Sequence, residues 1–141
     1  MSFRRDFARL RALSPAERRL LRRALALLPA CALGVKLVGL RRTREWFGAM
    51  RPIPQATAQQ VVRMAAAAAR RAPWKDGCLP AALALERMLA AQGIGSELRL
   101  GVRKVGGRFE AHAWLERDGQ RIIDTAESAS FAALEPARER A

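Results

Sequence analysis

The spacing of apolar residues predicts helices over the first part of the chain. Phe3, Phe7 and Leu10 recur at helical intervals, which predicts a short basic helix over residues 2–13. The segment Ser14-Pro15-Ala16-Glu17 then has the pattern of a helix start, with a capping serine followed by proline at the first helical position. We expect this second helix to run until Pro29 disturbs it, because proline removes a backbone hydrogen bond.

Two more helices are predicted after a break at Arg51-Pro52-Ile53-Pro54. Residues 57–71 form an alanine-rich segment with a narrow apolar stripe. A further helix is predicted from about Cys78 to Gln92, and Gly93 is its natural C-terminal stop.

Apolar and polar residues alternate from about residue 98 onward, which predicts strands. The turn signal Gly106-Gly107 indicates a hairpin with a two-residue loop. That loop pairs the apolar residues of both strands on one face, which is the core face. On the other face it sets Gly101 opposite His112, so that glycine leaves room beside the imidazole for a substrate or a nucleophile.

A second turn signal, Asp118-Gly119, precedes a short run that ends at Asp124. A two-residue loop here would set Asp124 on the wrong face of the sheet for contact with His112. A three-residue loop, Arg117-Asp118-Gly119, would set the two residues directly opposite each other. We therefore predict the three-residue loop. The whole pattern indicates an α+β fold.

Composition and charge divide the chain into two parts. It has 141 residues, half of them hydrophobic, which is enough for a core. Residues 1–71 carry 16 Lys/Arg against 3 Asp/Glu, whereas residues 72–141 carry 10 against 10. We expect a basic helical extension over 1–51, packed on a core domain over 52–141. Such a basic region attracts nucleic acid, anionic lipid or an acidic protein, or it is simply a solvated arginine face.

No signal-peptide pattern opens the chain. Its first residues lead into arginines and not into an apolar core with a cleavage site. The apolar stretch 24–40 is interrupted by Pro29 and Lys36, which favours helices packed on the domain over a membrane span. Arginines flank that stretch, so contact with a lipid surface stays open. With two cysteines at unrelated sites, a reducing cytoplasm is the expected location.

Three residues could together perform thiol chemistry. Cys78 follows a glycine at a helix start, where the helix dipole favours thiolate. His112 is the single histidine, and Asp124 could orient it. Each has a simpler interpretation: a small buried thiol, a structural histidine and a turn residue. Cys31 has no base nearby in sequence and is interpreted as core filling.

Other chemistry is poorly supported by the sequence. Two cysteines and one histidine give no metal-ligand spacing, and no glycine-rich phosphate loop precedes a helix. Trp46, Trp74 and Trp114 could line a groove, although packing is the favoured role for each. The amide of Cys78 is a candidate oxyanion donor, and the backbone near Trp74 and Asp76 is a candidate for the second.

The segments around these residues resemble those of lasso-peptide leader peptidases, the B proteins of that pathway, which are related to transglutaminases and broadly papain-like. The similar segments are Lys75–Leu85 around the cysteine, 100–104 with 111–116 around the histidine, and 122–124 at the aspartate. The resemblance implies a transglutaminase-like core in which a nucleophile helix packs on a small antiparallel sheet. It also implies Cys78 as nucleophile, His112 as base and acid, and Asp124 as orienting carboxylate. The mechanism implied by this resemblance needs no metal or organic cofactor.

The resemblance further implies a function and partners. The protein would be a cysteine protease that removes the leader from a ribosomally made lasso-peptide precursor. Residues 1–71 show no strand run for the family's leader-recognition module, so a separate recognition protein is expected. An ATP-dependent, asparagine-synthetase-like cyclase would act next. The alternatives are acyl transfer to an amine, and a non-enzymatic basic adaptor for nucleic acid or anionic lipid. No nucleic-acid partner is expected under the protease interpretation, and membrane-surface association is the less favoured option.

Overall fold

In the computed structural model, which describes residues 2–46, 50–71, 78–122 and 132–133, five α-helices are followed by four β-strands. The helices are α1 (Ser2–Ala12), α2 (Pro15–Val38), α3 (Leu40–Trp46), α4 (Ala58–Arg70) and α5 (Cys78–Ala91). The strands are β1 (Glu97–Val105), β2 (Arg108–Arg117), β3 (Gln120–Arg121) and β4 (Ala132–Ala133). The α+β fold class predicted from the sequence is confirmed.

The helices begin and end where local chemistry favours it. The hydroxyl of Ser14 accepts a hydrogen bond from the amide of Glu17 at 3.2 Å, as predicted for the start of α2. Thr57 and Gln60 form a reciprocal capping box at the start of α4. Gly93 follows the last residues of α5 with a positive φ of 75°, and the amide of Ile94 donates a hydrogen bond to the carbonyl of Leu89 at 2.9 Å, which closes the helix end.

The expected interruption of α2 at Pro29 is wrong. The helix continues through this residue to Val38. Pro29 lies on the exposed side, while Leu28 and Cys31 beside it are buried in the core. Burial of these neighbours offsets the one backbone hydrogen bond that proline cannot make.

The core lies between α2, α4, α5 and one face of the sheet. Residues from α2, such as Leu20 and Cys31, share one buried cluster with Val61 of α4 and Leu85 of α5. An ion pair also joins α2 to α4, because the carboxylate of Glu17 accepts a hydrogen bond from Arg63 at 2.6 Å. Residues on both sides of position 51 therefore build the same core, and the division into two parts at that position stays a prediction.

The sheet has the strand order β3-β2-β1-β4, and all of its pairings are antiparallel. Val105 pairs with Arg108 across a two-residue turn, and Gly101 pairs with His112, which confirms the predicted register. Ala113 and Leu115 of β2 are buried in the core cluster. The predicted core face of the hairpin is therefore correct.

The predicted three-residue loop between β2 and β3 is wrong. Arg117 pairs with Gln120, so that only Asp118 and Gly119 form the turn. Both have positive φ angles, 52° and 76°, as a type I′ hairpin turn requires. Aspartate tolerates this left-handed conformation, so the two-residue turn is accessible without a bulge. The loop argument that set Asp124 opposite His112 is therefore lost, and Asp124 itself lies outside the described residues.

Candidate active site

Cys78 is the first residue of α5. The first turn of this helix contains no acidic side chain, so no carboxylate within that turn offsets the positive end of the helix dipole. Pro80 occupies a first-turn position, where a missing N–H removes no intrahelical bond. The backbone thus has the predicted helix-start geometry. The side chain of Cys78 lies outside what the structure describes.

His112 occupies the middle of β2 and is half-buried. It lies directly opposite Gly101, which is itself buried and pairs on its other side with Ala133 of β4. Glycine at this position means that β1 places no side chain next to the imidazole. The predicted placement of a glycine on the strand opposite the histidine is therefore confirmed.

Trp114 forms a platform beside the imidazole. The two rings are stacked, with centroids 6.2 Å apart and an interplanar angle of 24°. Trp114 is only 1% exposed, although it points to the face opposite the core cluster. Burial and stacking restrict the orientation that the His112 ring can adopt.

Two charged residues hold Trp114 in place. Its Nε1–H donates a hydrogen bond to Oε1 of Glu116 at 3.0 Å. The guanidinium carbon of Arg121 lies 4.4 Å from the ring centroid, in cation–π geometry. The other carboxylate oxygen of Glu116 accepts from Arg99 at 3.3 Å. A polar frame therefore surrounds the tryptophan on the outer face of the sheet.

Sequence reasoning missed Glu116 and Arg121 as supporting residues. The length of the second turn could have identified them, because a two-residue turn pairs Glu116 with Arg121. Residues 112, 114 and 116 then share one face with Arg121. The wrong loop length hid this relationship.

The arrangement of faces sets a requirement for the predicted triad. Ala113 and Leu115 point to the core, where α5 packs on β2, and His112 points to the opposite face. The thiol of Cys78 must therefore reach the outer side of the sheet to meet the imidazole. The described residues do not show this meeting, nor the position of the Asp124 carboxylate, and the triad stays a prediction.

The second cysteine has the properties of a buried core residue. Cys31 is fully buried in the cluster between the helices. Burial raises its pKa to about 11, an effect that nearby Arg87 opposes and nearby Glu86 reinforces. A thiol that stays protonated at neutral pH is a poor nucleophile. The interpretation of Cys31 as core filling is therefore confirmed.

An apolar groove of about 370 Å³ opens at the other end of α5. Its lining includes Val62, Leu89 and Ile122, with Arg63 and Arg117 at its rim. Leu89 follows Cys78 by eleven residues, which corresponds to about 16 Å along the helix. This groove is therefore separate from the start of α5.

Neither a metal cluster nor a membrane-spanning helix is found in the described part of the chain. No group of three or more His, Cys, Asp or Glu side chains in the described ranges could hold a metal ion. Among the same residues, no helix has the length and apolarity needed to cross a bilayer.

Comparison with known families gives one match. The family model described as the transglutaminase-like superfamily matches residues 16–135, which is most of the chain. Comparison with curated proteins finds no match, and comparison with solved structures finds none either. The matched range includes Cys78, His112 and Asp124.

Proposed function

This chain belongs to the transglutaminase-like superfamily, whose members are in general cysteine-based enzymes, and from that premise we propose that it is a cysteine peptidase. Its substrate is the precursor of a ribosomally made lasso peptide, from which it removes the leader. The nucleophile is Cys78, the general base and acid is His112, and the orienting carboxylate is Asp124.

The observation that carries the proposal is the setting of His112. A half-buried imidazole is stacked on a fully buried tryptophan, and a glycine faces it on the neighbouring strand. The glycine keeps the side chains of β1 away from the imidazole ring. This favours a general base, because the reacting atoms must approach such a base within hydrogen-bonding distance.

The start of α5 supports the role of Cys78. The thiolate is the reactive form of cysteine, and the N-terminal end of a helix lowers a thiol pKa by favouring negative charge. The first amides of a helix have no intrahelical acceptors, so the Cys78 amide is free of the helix ladder and can donate to an oxyanion. The second oxyanion donor is assigned to the backbone near Trp74 or Asp76, both of which lie outside the described residues.

The reaction proceeds through an acyl enzyme. The imidazole accepts the thiol proton as sulfur attacks the scissile carbonyl carbon. The tetrahedral intermediate then collapses as the imidazolium gives its proton to the leaving amine. Water, deprotonated by His112, attacks the thioester and releases the leader carboxylate together with free enzyme. Asp124 stabilises the imidazolium that forms in both halves.

The proposed partners follow from the role in the pathway. A separate recognition protein presents the leader, and an asparagine-synthetase-like cyclase uses the freed amine of the core peptide. The surplus of positive charge over residues 1–71 favours acidic surfaces on such partners. We place the reaction in the cytoplasm, where a catalytic thiol stays reduced.

The test is cleavage of a candidate precursor, followed by mass spectrometry, with and without the recognition protein. Cys78→Ala and His112→Ala should abolish cleavage, and Asp124→Asn should reduce it by several orders of magnitude, on the order of 10⁴-fold. Cys31→Ala is the matched control, because it removes the other thiol and should leave cleavage measurable. Cleavage that persists in Cys78→Ala would rule out the thiol mechanism.

Transfer to an amine is the second candidate, and the family match favours it as a class. Adding a small primary amine to the same reaction separates the two. A transferase would give a leader product heavier than the hydrolysed leader by the mass of the amine minus one water. A peptidase would give the leader with a free carboxylate, at a cleavage rate that the amine does not change. A basic adaptor without catalysis would show neither product, and its binding would depend on the arginines of α2.

A further inference from the structure

The solvent-facing side of α2 carries an apolar stripe that no described element covers. Leu25, Leu33 and Leu37 are 46%, 58% and 72% exposed, and Ala26 and Pro29 between them are exposed as well. At 100° per residue these five positions fall within an arc of about 120°. The stripe is about 18 Å long, because Leu37 follows Leu25 by twelve residues along the helix. Contiguous exposed apolar surface of this kind marks an interaction site.

Basic residues bound this stripe at both ends. Arg22 and Arg19 are exposed on the same side of α2, about one turn and two turns before Leu25. Lys36 lies beside Leu37, and Arg41 and Arg42 follow at the start of α3, all of them exposed. The chain contains no acidic residue from position 18 to position 44. The whole exposed side of this helix is therefore apolar in the middle and positive at the ends.

We propose that this side of α2 binds the surface of an anionic lipid bilayer. The three leucines would enter the boundary between headgroups and acyl chains, and the flanking cations would contact lipid phosphates. The helix would lie in the plane of the membrane. The other side of α2 is fixed to the core by Leu20, Leu28 and Cys31.

The shape and chemistry of the stripe favour lipid over a macromolecular partner. The stripe lies on a single convex helix and offers no groove for a partner side chain. Between Arg22 and Lys36 its exposed side chains contain no hydrogen-bonding group, whereas protein interfaces combine apolar contact with about one hydrogen bond per 100–200 Å². Nucleic acid would use the arginines and leave the leucines in water. A fluid hydrocarbon layer bordered by phosphates satisfies both parts of the surface.

This inference does not depend on the proposed peptidase activity, since its test involves no cleavage. The full chain is mixed with vesicles of phosphatidylcholine alone or of phosphatidylcholine and phosphatidylglycerol in equal parts, and bound protein is measured by flotation. Binding to the anionic vesicles is expected, with little to the neutral ones. The double variant Leu33→Asn/Leu37→Asn should reduce the partition coefficient about tenfold or more, because binding scales with buried apolar area.

Matched controls separate the stripe from general effects. Phe109→Asn changes an apolar side chain that is 76% exposed on the hairpin, and it should bind like the parent. Arg19→Glu/Arg22→Glu should weaken binding more than Arg51→Glu/Arg108→Glu, which alters the net charge equally at exposed positions elsewhere. Circular dichroism verifies that each variant is folded, and Leu25→Asn provides a second apolar substitution.

Three results would overturn the inference. The first is absence of binding to anionic vesicles at low salt. The second is unchanged binding in the Leu33/Leu37 and Leu25 variants, which would reduce the interaction to diffuse charge attraction. The third is equal loss in both charge-reversal pairs, which would show that net charge and not this face decides binding. If vesicles fail but an acidic protein partner is lost on Leu33→Asn/Leu37→Asn, the stripe is a protein interface instead.

Discussion

Gly101 of β1 lies directly opposite His112 of β2 in the antiparallel register. Neighbouring side chains in such a pair start about 5 Å apart at Cβ, so any residue larger than glycine would contact the imidazole. The residue at position 101 of β1 therefore controls how much space is left beside the His112 ring of β2.

The first prediction concerns this pair. Gly101→Val should lower kcat/KM for the proposed peptidase reaction by about tenfold or more, because the new side chain would lie beside the proposed base, His112, and shift its imidazole. Gly95→Val is the matched control, since a Cβ at Gly95 meets no atom within 4 Å and its φ is not positive. Steady-state kinetics checks both. Equal activity in Gly101→Val and the parent would show that the reaction does not require glycine at position 101.

The second prediction concerns a buried carboxylate on α5. Glu86 is only 4% exposed and accepts two hydrogen bonds from Arg44 of α3, at 3.1 and 3.0 Å. Arg44→Gln should lower the free energy of unfolding by about 2 kcal/mol, because it leaves a desolvated charge with less compensation. The loss is smaller than for a fully unpaired charge, since Arg87 also contacts Glu86 at 3.1 Å.

Urea denaturation measures this effect. Arg41→Gln is its control, because the Arg41–Glu45 pair is exposed and its atoms are 3.9 Å apart. Exposed pairs of this type contribute about 0–1 kcal/mol, so little change is expected. Equal destabilisation by both variants would show that net charge, and not the buried pair, is responsible.

The third prediction concerns the contact of α2 with α3. A Cβ added at Gly34 would lie 2.8 Å from Oγ1 and 2.9 Å from Cγ2 of Thr43. Thr43 is 1% exposed and its hydroxyl donates to the carbonyl of Gly39 at 2.7 Å, so it has little freedom to move. Gly34→Ala should therefore destabilise the fold by about 1–3 kcal/mol, despite the better helix propensity of alanine.

A thermal or urea melt tests this, with Gly95→Ala as the variant in open space. The double variant Gly34→Ala/Thr43→Ala should recover part of the loss, because it removes the colliding side chain. If the double variant is no more stable than Gly34→Ala, the destabilisation does not come from the contact with Thr43.

The fourth prediction is a pH dependence. Burial raises the pKa of Cys31 to about 11, from an ordinary value of 9.0. Between these two values the folded state keeps the thiol proton while the unfolded state loses it. The contribution of this proton to the free energy of unfolding is therefore fully present below pH 9 and is lost as the pH rises towards 11. The expected loss is on the order of 1 kcal/mol by pH 10.

Comparison with Cys31→Ala isolates the effect, since the alkaline slope of stability should be shallower in that variant. The same burial predicts that iodoacetamide labels Cys31 only slowly at pH 8 in the folded protein. Mass spectrometry of digested peptides should show label at Cys78 first, and rapid labelling of Cys31 would contradict its burial.

Local rules were sufficient for much of this fold. A capping residue located the start of α2, and Gly93 located the end of α5, because these features depend on backbone groups within a few residues. The β1–β2 register also followed from sequence, since a one-residue slip would turn every apolar side chain of the hairpin away from the core. The pairing of Gly101 with His112 was predictable for the same reason.

Other features depended on contacts between distant segments. Helix α2 passes Pro29 because its buried side packs on α4 and α5, and local propensity does not include that packing. The Asp118-Gly119 turn is compatible with two loop lengths, and the sheet selected the shorter one. The pairing of Glu86 with Arg44 joins residues 42 positions apart, and the uncovered stripe on α2 emerges only when the rest of the helix is buried. The sequence by itself thus determined the elements and their faces, whereas tertiary structure decided which faces are covered, because burial is a property of the assembled chain.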